Sequence, residues 1–154
     1  MSDKEKVMTD NYVKHATFTL ERTYDVSPER VFAAWSDPAA KARWFAGPNG
    51  GHELDFRVGG REVNHGIYDG KVISFESRYQ DIKPGERIVY SSTLSGDGEL
   101  STVSITTIEL EAAGDGTKLV LTEQGTFLDG QEEPEWRRHG TGDWLDKLGA
   151  ELGS

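Results

Sequence analysis

Three polar residues sit where the strand pattern of this sequence calls for apolar ones: Arg22, His65 and Glu123. Glu123 shares parity with Leu119, Leu121 and Phe127; His65 with Val63 and Ile67; Arg22 with Phe18, Leu20 and Tyr24. A charge carried on a buried face is costly unless it is paired or lines a solvated cavity. An arginine, a histidine and a carboxylate facing one cavity could orient a ligand or move protons. The bland alternative for Arg22 and Glu123 is a cross-strand ion pair, and for His65 a satisfied core or rim histidine. His15, His52 and His139 fall near element ends, where exposure is expected.

Other chemistry finds little footing. The chain has no cysteine, which excludes disulfides and thiol catalysis and removes the soft ligands of most structural zinc sites. No second histidine stands at a metal-binding offset from His65, and there is no phosphate-cradling loop or nucleophile elbow, so neither metal nor cofactor is expected. Gly96-Asp97-Gly98 and Gly114-Asp115-Gly116 read as hairpin turns. A formal net charge of −10 over 154 residues, with no basic patch beyond the adjacent Arg137-Arg138, argues against nucleic acid or anionic membrane as a partner. No apolar run has the length of a membrane span or signal-peptide core, and the expected location is the cytoplasm.

The elements that must position these residues can be read along the chain. Residues 1–14 are expected to form a flexible leader and 15–154 a single domain. Residues 16–26 alternate as a half-buried strand. Ser27-Pro28-Glu29 then opens a short helix bearing Val31, Phe32 and Trp35, and Asp37-Pro38 opens a second through Trp44 and Phe45. Beyond the break at residues 47–51, strands are expected over 52–58, 61–68, 71–82, 87–94, 100–111 and 117–127. They are joined by Gly59-Gly60, Asp69-Gly70, Pro84-Gly85 and the two Gly-Asp-Gly turns, as an antiparallel meander. The tail carries Trp144, Leu145, Leu148 and Leu152 at helical spacing, a stripe that can cover the sheet. Gly140 and Gly142 either leave room beneath this helix, permit close packing, or delay its start until Asp143 caps it. Trp35, Trp44, Phe75, Tyr79, Tyr90, Phe127 and Trp144 are candidates to line an apolar cavity between sheet and helix, and equally to pack a solid core.

This α+β order, a strand, two short helices, six strands and a long helix, resembles the helix-grip fold of the START-like (SRPBCC) superfamily. Within it the chain is similar to the family named after the C-terminal domain of the activator of Hsp90 ATPase. The likeness rests on Glu21-Arg22-Thr23-Tyr24 leading into Ser27-Pro28 and Val31-Phe32-Ala33-Ala34-Trp35; on Asp37-Pro38 through Trp44-Phe45; on Asp55-Phe56-Arg57-Val58-Gly59-Gly60; and on Tyr79-Gln80-Asp81-Ile82 to Pro84 with Arg87-Ile88-Val89-Tyr90. The run from Leu121-Thr122-Glu123 to Asp129-Gly130 resembles a bacterial subset. The resemblance implies a curved sheet wrapped on the C-terminal helix and leaves three functions open. These are a carrier of a small hydrophobic or aromatic ligand, a polyketide cyclase or aromatase using His65, Glu123 and Arg22, and a protein-interaction or chaperone accessory module. A homodimer is compatible with each.

Overall fold

The computed structural model describes residues 12–46 and 51–153. Most of the expected leader (1–11) and most of the glycine-rich break (47–50) therefore lie outside the described residues. Strand β1 (Val13–Tyr24) is followed by helices α1 (Pro28–Ser36) and α2 (Pro38–Phe45). Then come β2 (His52–Leu54), β3 (Arg61–Tyr68), β4 (Lys71–Lys83), β5 (Arg87–Gly96), β6 (Glu99–Ala113), β7 (Gly116–Leu128) and helix α3 (Pro134–Leu152). The strands form one antiparallel sheet in the order β1-β7-β6-β5-β4-β3-β2.

Local chemistry explains most boundaries. The Ser27 hydroxyl accepts from the Arg30 amide and the Asp37 carboxylate from the Ala40 amide, each followed by a proline whose missing N–H costs nothing at a first helical position. Asp69 and Gly70 both take positive φ, 50° and 78°, the backbone a two-residue hairpin between β3 and β4 needs. Register shifts that leave Gln80 of β4 unpaired against β5, and Ser101 of β6 unpaired against Leu94 and Ser95, are bulges of the kind that bend a sheet.

Two expectations need correction. The segment 52–58 is not one strand closed by a two-residue turn: β2 stops at Leu54, opposite Glu62. Residues 55–60 form a wider loop in which the Gly60 amide donates to Arg57 O and the Gly59 amide reaches Tyr79 O. Nor does the last helix wait for Asp143. It begins at Pro134, and Gly140 and Gly142 lie inside it. Proline again opens the helix, but the Glu133 side chain before it makes no capping bond, unlike Ser27 and Asp37.

Leu145, Leu148 and Leu152 of α3 join Val31 and Trp35 of α1 and Ile108, Leu119 and Leu121 of the sheet in one core. The Tyr24 hydroxyl, buried, donates to Leu145 O at 2.8 Å and ties the end of β1 to the middle of the helix.

Candidate functional site

The inner face of the sheet is set by register. Glu123 stands opposite Thr106, Thr106 opposite Tyr90 and Tyr90 opposite Tyr79, so these four share a face with Leu121 and Leu119. Farther along, Phe75 is opposite both Leu94 and Asn64. Where α3 crosses this face, a cleft of about 300 Å³ lies between the helix and the sheet. Trp35 and Trp44 line it from the first two helices; Phe75, Tyr90 and Glu123 from the sheet; Arg137, Gly140 and Trp144 from α3. Tyr68 and Trp136, 67% and 64% exposed, flank it as large aromatic surfaces open to solvent. A Cβ built on Gly140 would meet nothing within 4 Å, so this glycine leaves open space.

One wall is charged. Glu123, 4% exposed, accepts from Arg137 Nη1 at 2.7 Å and from the Thr106 hydroxyl at 3.1 Å. Arg137 also grips Glu132 through Nε and Nη2, at 3.0 and 2.8 Å, in the fork geometry suited to a carboxylate. Glu132 accepts a further bond from Thr102 Oγ1. Burial pushes the Glu123 carboxyl above the usual range, and the Arg137 guanidinium pulls the other way without cancelling it. Burial likewise raises the Tyr90 hydroxyl. Two buried polar atoms on lining residues, Trp35 Nε1 and Asn64 Oδ1, have no partner among the described residues.

A second ionic cluster lies behind the aromatic wall. Lys41 Nζ donates to Glu62 Oε1 at 2.9 Å, Tyr79 Oη donates to the same oxygen at 3.0 Å, and His52 Nε2 lies 2.8 Å from Glu62 Oε2. Lys41 and Glu62 side chains are 1% and 2% exposed. The ammonium stands 4.5 Å from the Phe45 ring centroid and 4.9 Å from that of Trp35, each able to stabilise a cation through its face. Burial tends to raise the Glu62 carboxyl, but Lys41, His52 and Tyr79 together hold it below the ordinary range. Lys41 is lowered, because burial outweighs its attraction to Glu62.

Of the ten candidates, Trp35, Trp44, His65, Phe75, Tyr90, Glu123 and Trp144 line the cleft. Arg22, Tyr79 and Phe127 do not. Arg22 pairs across β1 and β7 with Leu119 rather than Glu123, whose own partner is Phe18. Its guanidinium instead crosses to α3, to Asp146 at 2.9 Å and Gly142 O at 3.3 Å. Tyr79 is committed to Glu62 and packs edge-on against Phe56 and Tyr90. The Phe127 ring folds back over Gly125, so close that a Cβ there would stand 2.6 Å from it.

His65 reaches only the rim. On β3 the inward parity is Glu62 and Asn64, and His65, opposite Ser74, has the reverse orientation and is exposed. Val63, His65 and Ile67 thus share the opposite parity to Glu62 and Asn64; Val63 is still buried, but Ile67 is 67% exposed. His52, expected to be exposed, is instead buried against Glu62. The sequence reading missed Lys41, Glu62 and Arg137. A signal existed for two of them: Arg137 precedes Thr141 and Leu145 by one and two helical turns, and Lys41 precedes Trp44 and Phe45 by one. Among the described residues no group of acids and histidines could hold a metal, and no helix is long and apolar enough to cross a membrane.

A curved antiparallel sheet closed on its last helix is the fold that the comparisons share. The model of the family "Activator of Hsp90 ATPase homolog 1-like protein" matches residues 25–153. The chain belongs to this family. A solved structure from Rhizobium loti is 44% identical to this family member, with a TM-score of 0.86, and the match covers 91% of this chain and 99% of that one. A second, from Rhizobium leguminosarum, is 38% identical with a TM-score of 0.88, covering 93% and 97%. CalU16 from Micromonospora echinospora, 21% identical with a TM-score of 0.65 over 92% and 84%, shares the fold. A search of curated proteins found no match.

Proposed function

We propose that this family member binds a small hydrophobic or aromatic molecule in the cleft between the sheet and α3. The observation that carries the reading is Gly140. A glycine inside a helix costs about 1 kcal/mol relative to alanine, and here a Cβ would meet no neighbour and the backbone takes no positive φ. What it provides is volume. That volume is walled by aromatic rings and by a few polar groups, the composition of small-molecule sites, and about 300 Å³ lies at the small end of their range.

The cyclase reading has less support, because its three side chains do not converge. Arg22 is held by Asp146 on the far side of α3, His65 reaches only the rim, and Glu123 is held by Arg137.

The test uses N-phenyl-1-naphthylamine, a neutral dye whose emission rises in apolar surroundings. The wild-type protein should bind it saturably. Gly140→Phe, which fills the open space without straining the backbone, should lower that affinity at least about tenfold while raising thermal stability. Equal binding by both proteins would sink the proposal.

A further inference from the structure

The cleft has a definite electrostatic character. Among the described residues its lining acids are Glu123 and Glu132, and its lining bases are Arg137 and, at the rim, His65. Arg137 is the obvious receptor for an acidic ligand, since a guanidinium fork matches a carboxylate. That fork is already occupied. Nε and Nη2 hold the two oxygens of Glu132 at 3.0 and 2.8 Å, and Nη1 holds Glu123 at 2.7 Å and the Ser104 hydroxyl at 3.4 Å. A carboxylate entering the cleft would meet two fixed carboxylates and a guanidinium with its fork closed. It would shed its hydration without gaining a partner.

The opposite charge meets a different surface. The carboxylates outnumber the guanidinium, and Phe75, Tyr68, Trp136 and Trp144 present aromatic rings around the opening. Arg137 itself already lies 5.7 Å from the Phe75 centroid, and Lys147 stands 4.6 Å from that of Trp144. Those two rings already face a cation of the protein, which leaves the exposed rings of Tyr68 and Trp136; these ring faces and the carboxylate in excess of the guanidinium both favour a cation.

We infer that the cleft selects its ligand by charge, accepting hydrophobic amines and neutral aromatic molecules and refusing hydrophobic acids, with the Glu123–Arg137–Glu132 cluster as the discriminating element. This rests on the ligand-binding reading and deepens it by naming the ligand class. Fatty acids and aromatic acids are excluded as ligands. An aromatic or long-chain amine, or its neutral alcohol counterpart, fits.

The probes are three naphthalenes of matched size: 2-naphthylmethylamine as its ammonium, 2-naphthylmethanol, and 2-naphthoate. Titration calorimetry at neutral pH should rank the ammonium and the alcohol at least about tenfold tighter than the carboxylate, a difference one unfavourable charge contact can produce. Glu132→Ala opens the Arg137 fork and removes one negative charge, so the carboxylate should gain affinity and the ammonium lose it. If Glu132→Ala does not fold, the wild-type ranking decides alone. A carboxylate that binds wild type as tightly as the alcohol, in competition with Gly140→Phe-sensitive dye binding, overturns the charge selection and leaves the ligand site standing. If none of the three binds and the dye is insensitive to Gly140→Phe, both readings fail.

Discussion

Arg137 Nη1 stands 2.7 Å from Glu123 Oε2, joining the first half of α3 to the middle of β7 through a contact in which the side chains are only 9% and 6% exposed. Neither charge would be tolerated there alone. Removing one partner of a buried pair costs more than the pair contributes, because the survivor remains desolvated.

Arg137→Met should therefore lower the unfolding free energy by about 3–5 kcal/mol. The sign with pH is specific. Burial already raises the Glu123 carboxyl, and losing Arg137 raises it further, so the folded variant prefers the protonated acid. Its deficit against wild type should grow as pH rises above the ordinary glutamate value of 4.5 and shrink as pH falls toward it. Urea unfolding at a series of pH values checks this, and a deficit independent of pH would count against Glu123 as its source.

Glu62 should behave in the opposite sense. Lys41, His52 and Tyr79 hold its folded carboxyl below 4.5, so its contribution is present above that value. The contribution is lost as pH falls from there through the depressed folded value. Glu62→Gln should be less stable than wild type near neutrality and should lose less stability on acidification, read from urea midpoints between about pH 6 and about pH 3.

Lys41→Met leaves Glu62 buried with its two weaker partners and should cost about 3–5 kcal/mol. The double replacement Lys41→Met with Glu62→Leu should recover most of that loss, since an apolar pair needs no solvation. Thermal denaturation of the single and double variants closes the cycle. Failure of the second change to rescue the first would mean that His52 and Tyr79 depend on Glu62 for their own placement.

Gly140 and Gly142 should respond differently to the same change. Gly140→Ala adds a methyl into open space and should stabilise α3 by about 1 kcal/mol. At Gly142 the new Cβ would stand 3.2 Å from Arg22 Nη2, and the guanidinium would have to shift away from its bond to Gly142 O. Gly142→Ala should gain less than Gly140→Ala or lose stability, as melting temperatures would show.

Arg22→Ala should leave affinity for N-phenyl-1-naphthylamine unchanged, because Arg22 lies against the outer side of α3 and not at the cleft. A large loss of dye binding in a folded Arg22→Ala protein would place the site elsewhere.

Much of the architecture was legible before any coordinates. Alternation is local, so the inward faces of β1 and β7 followed from Phe18, Leu20, Leu119 and Leu121. Caps are local too, and Ser27-Pro28 and Asp37-Pro38 start helices where they stand. The sequence by itself determined the meander, its turns at Asp69-Gly70 and Pro84-Gly85, the closing helix, and the shared parity of Glu123 with Leu119 and Leu121. It could not determine who pairs with whom. The ionic partner of Glu123 lies on α3, not across the strand, and that depends on how far the helix extends toward Pro134 and where it crosses the sheet. On β3 the pattern misled, because two apolar residues, Val63 and Ile67, outvoted Glu62 and Asn64. Only the packing of α2 against that edge of the sheet brings Lys41 to Glu62 and makes the polar face the inner one. A charge can enter a core when a distant segment delivers its counter-charge, and no local rule reports such a delivery.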